Sequence, residues 1–239
     1  MRIRCGTRAG RQHLRSPGLT LVELLVAVAM LALLAALSWR ALDGMVRARA
    51  QTEEHAERLL VLEAALGQWT ADLEAMTQPP FTRGIEWNGQ VLRLTRTDPA
   101  DAGGGLRVVA WTRRIADGRG QWLRWTSAPV RQRGDWERAW QQALLWAQNP
   151  DDALRRRELA IVPIDEWRIF FYRGDAWTNP LSSDAVGPAA GTPGAGAPAD
   201  SGVNLPDGVR LVLRLSPGAG LTGTLQRDWA RPTIAGGRS

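Results

Sequence analysis

The 239 residues carry 30 basic and 24 acidic groups, for a formal charge of +6 and a pI near 11.1. That length allows one sizeable domain plus appendages. Cys5 is the only cysteine, and His13 and His55 are the only histidines. An intramolecular disulfide and a cysteine or histidine cluster for metal are therefore excluded. No nucleophile elbow, Walker loop or dinucleotide fingerprint is present, so nothing argues for an enzyme, a catalytic residue or a cofactor.

The charge is uneven. Residues 1–18 hold Arg2, Arg4, Arg8, Arg11 and Arg15 and no acid, so their removal takes the 30 basic groups to 25 against 24 acids. Without this leader the chain is nearly neutral. Cys5 has no apolar run before it, which argues against a lipoprotein-type anchor.

From Leu19 to Leu37 the sequence is LTLVELLVAVAMLALLAAL, close to the roughly 20 apolar residues that cross a bilayer as a helix. We expect one transmembrane helix over 19–39. The arginines before it predict a cytoplasmic N-terminus and an extracytoplasmic C-terminal domain. An ordinary secretory signal has its small-residue cleavage site after the apolar core. Here Gly18 precedes the core, and cutting after it leaves the hydrophobic helix on the product. Glu23 then lies four residues beyond the new N-terminal Leu19. A carboxylate at that depth costs about 2.5–3.5 kcal/mol on insertion scales. It is offset either by the amine of a neighbouring subunit, which turns the penalty into an assembly signal, or by snorkelling to the interface.

Gly18-Leu19-Thr20-Leu21-Val22-Glu23 and the apolar run after it resemble the type IV prepilin cleavage and methylation motif. The resemblance implies processing after Gly18 by an inner-membrane prepilin peptidase, N-methylation of Leu19, and Glu23 in the glutamate position that guides subunit docking. Members of the family usually have Phe at the first mature position, where this chain has Leu19.

The helical pattern continues through an extracytoplasmic half over 40–78. Leu59, Leu62, Leu66, Trp69, Leu73 and Met76 recur at spacings of three and four and define a packing face. Glu54, Arg58, Glu63, Gln68 and Asp72 fall on the other faces. The expected partner of the apolar face is the chain's own domain, because about three heptads are few for a free coiled coil. Gly44 is a plausible flexible point. One helix from about Thr20 to Met76 ends before Pro79-Pro80.

Residues 80–230 then read as a β-rich globular domain. Period-two alternation marks Gln90–Arg96, Leu106–Arg113, Gln121–Thr126, Glu166–Arg173 and Val209–Leu215 as strands. Turn signals at Trp87-Asn88-Gly89, Asp117-Gly118, Gly174-Asp175 and Pro206-Asp207-Gly208 favour antiparallel hairpins. Trp136 to Trp146 reads as a short helix ended by Asn149-Pro150. The class is α+β: a long N-terminal helix packed on antiparallel sheet. The Gly/Ala/Pro-rich stretch 186–202 is expected to be a flexible loop, and 231–239 a frayed tail.

The tryptophans interleaved with arginines, such as Arg113, Trp122, Arg124, Trp125, Trp167 and Arg168, suit a stacking surface for single strands. They suit core tryptophans and solvated arginines on opposite strand faces better, and no nucleic-acid partner is expected. Asp98, Asp101 and Gly103 to Gly105 lack the spacing of an EF-hand and read as a solvated turn.

The whole pattern resembles the minor pseudopilins of type II secretion, and among them the J-type subunit. Ser38-Trp39-Arg40-Ala41-Leu42-Asp43-Gly44-Met45 carries part of the likeness. The strand segments Glu166–Tyr172 and Leu205-Pro206-Asp207-Gly208-Val209 are similar less specifically. This resemblance implies a single-pass inner-membrane subunit with a periplasmic domain, assembled with I-type and K-type minor pseudopilins at a pseudopilus tip that exports folded proteins. Two other functions remain open: a type IV pilus minor pilin, for which a C-terminal cysteine pair is common and here absent, and a competence minor pilin that handles DNA, whose binding would weaken steeply with salt.

Overall fold

A computed structural model describes residues 20–98, 104–116, 118–181 and 205–232. The leader, Gly18, Leu19, Asp101, Asp117, the stretch 186–202 and residues 233–239 of the expected tail lie outside the described residues. The chain divides into two compact units, Met1–Glu53 and Glu54–Ser239. Helix α1, Leu21–Glu74, contributes to both.

In the first unit every described residue from Thr20 to Glu53 is exposed. The N-terminal part of α1 is long and apolar enough to cross a membrane, and none of its most apolar window is buried. Beyond that window, ion pairs at helical spacing of four, Asp43–Arg47 at 2.5 Å and Arg49–Glu53 at 2.7 Å, decorate the helix surface.

In the second unit, the α1 turns from Glu54 pack on a sheet whose neighbouring strands are all antiparallel. The strands are β1 (Ile85–Trp87), β2 (Val91–Thr97), β3 (Leu106–Ala116), β4 (Arg119–Thr126), β5 (Glu158–Arg173), β6 (Ala176–Thr178), β7 (Gly208–Leu215) and β8 (Gly223–Ala230). Their order is β1-β2-β3-β4-β5-β7-β8, with β6 added to β5. The Asn88 side-chain oxygen accepts from the backbone N–H groups of Gln90 and Val91 at 3.0 and 2.8 Å, which closes the β1–β2 turn. At the β5–β6 turn Gly174 and Asp175 both adopt positive φ, as a two-residue type I′ hairpin requires.

Alternation sorts the strand side chains onto two faces. Leu92, Leu94, Val109, Trp111 and Trp122, with Ile164, Trp167, Ile169, Phe171, Val209, Leu211 and Leu213, form one core with Leu62, Ala65, Trp69 and Leu73 of α1. Trp69 meets Trp111 edge-on at 5.4 Å. On the opposite face, Val91, Val108, Ala110, Leu123 and Trp125 form a second core with α2 (Arg133–Gln148). That helix contributes Trp136, Ala139, Trp140, Ala143, Trp146 and Ala147, a stripe at spacings of three and four. A third helix, α3 (Asp152–Arg155), begins where the Asp151 carboxylate accepts from the Leu154 N–H at 2.8 Å.

Four sequence expectations need correction. Asp98, read as part of a solvated turn, is buried and accepts from Arg107 Nε at 2.6 Å. Asp72, placed off the packing face of the helix, is fully buried within it. Arg124 is not a solvated strand residue, since it binds that same Asp72. Strand β5 begins at Glu158, eight residues before the alternation read at Glu166. Its first half pairs with β4 and its second half with β7, with a register shift between Ile164 and Glu166. Gly120 marks this crossing, because a Cβ there would lie 2.2 Å from the Ile164 carbonyl oxygen.

Candidate functional site

One polar constellation in each unit involves a residue singled out in the sequence, Glu23 in the first and Asp72 in the second. In the first unit, Thr20 stands before the first residue of α1 and Glu23 is its third residue. The Thr20 backbone N–H and hydroxyl each donate to Glu23 Oε2 at 3.0 Å, and the Glu23 N–H donates back to the Thr20 hydroxyl oxygen at 3.3 Å. This reciprocal arrangement is a capping box, which satisfies N–H groups that have no carbonyl one turn earlier. The helix dipole also favours a carboxylate at this end. Glu23 thus has a local role, initiating the helix, in addition to any role between subunits. The sequence reading gave Glu23 an intramembrane charge and a docking position but not a cap, although Thr-x-x-Glu is itself a start signal.

In the second unit, the residues expected on the packing face of α1 divide by depth. Leu62, Trp69 and Leu73 are buried, Leu66 and Met76 are half-buried against the same core, and Leu59 is half-buried. Between Trp69 and Leu73 lies Asp72, with no exposed surface. Its carboxylate accepts from Arg124 Nε and Nη2 at 2.8 Å each, from Trp111 Nε1 at 3.0 Å, from Gln68 Nε2 at 2.9 Å and from the Arg96 guanidinium. One helix residue is thereby tied to β2, β3 and β4. Two guanidinium groups and an indole N–H offset the cost of burying the anion. The arrangement fixes helix against sheet; its donors are occupied, and it offers no nucleophile or acid–base pair. Among the described residues no group of three or more His, Cys, Asp or Glu is placed to hold a metal ion.

Residues 14–39 match the family described as Prokaryotic N-terminal methylation motif. The chain carries a prepilin-type N-terminus. The matched span includes Gly18, Leu19 and Glu23, and the described part of it, Thr20 to Trp39, is the capped and wholly exposed start of α1. A comparison with curated proteins gave no match. Among solved structures the chain is similar to a chain in the crystal structure of the GspK-GspI-GspJ complex from the enterotoxigenic Escherichia coli type 2 secretion system. That similarity has 19% identity and a TM-score of 0.41, over 73% of this chain and 98% of the other.

Proposed function

We propose that the chain is a minor pseudopilin of type II secretion, of the J type. The observation that carries this reading is the methylation motif over residues 14–39 leading into an apolar, exposed helix. Cleavage after Gly18 exposes the Leu19 amine for methylation and places Glu23 where the amine of an adjacent subunit can pair with it. The five leader arginines keep the N-terminus in the cytoplasm, and the globular unit is periplasmic. The J-type reading rests on the sequence resemblance of Ser38–Met45 and of the strand segments. The role is assembly: with I-type and K-type partners the subunit starts a pseudopilus at the inner membrane and supports export of folded proteins. The chain acts by binding and not by catalysis.

The test is co-purification of the full chain, extracted in mild detergent, with the I-type and K-type candidates of the same genome, the components being identified by mass spectrometry. A stable ternary complex is expected. Failure to form one with folded partners would leave the processed membrane helix standing and would favour a type IV pilus subunit.

A further inference from the structure

The chain reverses at Pro79-Pro80-Phe81-Thr82, between α1 and β1. The Thr82 N–H and hydroxyl both donate to the Pro79 carbonyl oxygen, at 3.2 and 2.7 Å. Pro80 fixes the second position of this turn near φ −65°, and Phe81 in the third has φ +65°. That combination is a type II turn, whose third position favours Gly or Asn. The other non-glycine residue with positive φ among the described residues is Asp175, a residue type that tolerates it. Phe81 does not, and burial does not compensate, since the residue is 75% exposed. A costly backbone conformation that displays a large aromatic ring to solvent points to selection for binding.

The surroundings say what is bound. Beside the ring is a surface hollow of about 570 Å³, lined by Pro79, Pro80, Arg83, Arg133, Trp136 and Glu137 among others. Trp136 is 6% exposed and held by its Nε1–H to the Thr95 hydroxyl at 2.9 Å, which makes that wall rigid and apolar. The Arg133 guanidinium stands 5.2 Å from the centre of the Phe81 ring and steadies it. Arg83 and Arg133 are more than 60% exposed at the rim; Arg133 pairs with Glu137 of α2, and Arg83 with Glu86 of β1, which also holds Arg93. The Arg133–Glu137 pair is exposed on both sides, and such pairs are weak, so a carboxylate from a partner competes with Glu137 at little cost. A two-fold contact with a second copy is disfavoured here, because it would set Arg83 and Arg133 against their own counterparts.

We propose that Phe81 and this hollow form a docking site for a companion subunit, which presents an acidic segment with an apolar side chain. The ring acts as the preorganised anchor, and the two arginines receive the carboxylates. The proposal rests on the reading of the chain as a minor pseudopilin.

The experiment titrates the purified I-type and K-type subunits into the full chain in detergent, for the unsubstituted protein, Phe81→Gly and Phe81→Tyr, and records the thermal midpoint of each by near-ultraviolet circular dichroism. Phe81→Gly is expected to bind about tenfold more weakly or worse, with a midpoint that is unchanged or higher because Gly suits positive φ. Phe81→Tyr is expected to retain binding. If Phe81→Gly binds as the unsubstituted protein does, the docking site is wrong while the pseudopilin reading stands. If its midpoint falls along with its affinity, Phe81 is a folding residue and the proposal fails. If the unsubstituted chain binds neither partner, both readings fall together.

Discussion

Asp72 of α1 and Arg124 of β4 meet through two parallel hydrogen bonds of 2.8 Å, between a carboxylate with no exposed surface and an arginine side chain that is 16% exposed. Removing the anion strands Arg124 and Arg96 together in a low-dielectric setting. Asp72→Asn is therefore expected to destabilise the globular unit by about 3 kcal/mol, read as a lowered urea midpoint. Arg124→Met is expected to cost less, because Arg96 and the Trp111 indole still serve Asp72. If Asp72→Asn were neutral, the carboxylate would not be the tie between helix and sheet.

Gly220, in the β7–β8 loop, lies against the backbone of α1. With φ +85°, a Cβ there would stand 3.0 Å from the Arg58 carbonyl carbon and the Leu59 nitrogen. Both the conformation and the contact reject a side chain. Gly220→Ala is expected to cost about 1–3 kcal/mol in chemical denaturation, whereas Gly134→Ala, on the open surface of α2, is expected to be neutral or stabilising.

Glu23 has two candidate roles, and one substitution separates them. Glutamine supports a capping box as glutamate does but carries no charge. If the charge drives subunit pairing, Glu23→Gln and Glu23→Ala will both be processed and inserted, and both will fail to recruit partner subunits in a membrane pull-down. If capping is what counts, only Glu23→Ala will fail.

Asp228 of β8 accepts from Arg210 of β7 through Nε at 2.8 Å and Nη2 at 2.7 Å. That hydrogen bonding holds the Asp228 carboxyl below the usual carboxylate range, against a smaller opposing effect of burial. A depressed folded-state value stabilises above the unfolded value of about 3.9, and the stabilisation is lost as pH falls through the folded value. The deficit of an Arg210→Met variant is thus expected to be small at neutral pH, as for exposed pairs, and to fade on acidification below the ordinary carboxylate range. Denaturation midpoints of both proteins across that range test it.

Sequence periodicity revealed the strands whose two faces differ in polarity. In Gly208–Leu215 the buried Val209, Leu211, Leu213 and Leu215 alternate with less buried Arg210, Val212 and Arg214, so period two survives there. Val91–Thr97 and the middle of Leu106–Ala116 are instead buried on both faces and show it only where Arg93 and Thr95 fall between apolar residues. Strand β8 escaped notice because it lies at the edge of the sheet: in Gly223–Ala230 only Trp229 is buried, and no alternation is imposed. The start of β5 was hidden by Pro163 and by the Arg155-Arg156-Arg157 run before it. Asp72 was misplaced because a carboxylate was counted as polar wherever it fell. Its spacing of three from Trp69 put it on the packing face, and Arg96 and Arg124 occupy the same alternation phase as Leu94 and Trp122. Two cations on an apolar strand face were the legible sign that a buried acid must face them.

Strand β5 is hydrogen-bonded to β4 along its first half and to β7 along its second, so the two leaves of the sheet are printed on a shared spine. Neither leaf keeps a complete ladder when the other opens. The two apolar cores are therefore expected to melt as one cooperative body, and a pull transmitted through either leaf is borne at the short crossing from Ile164 to Glu166.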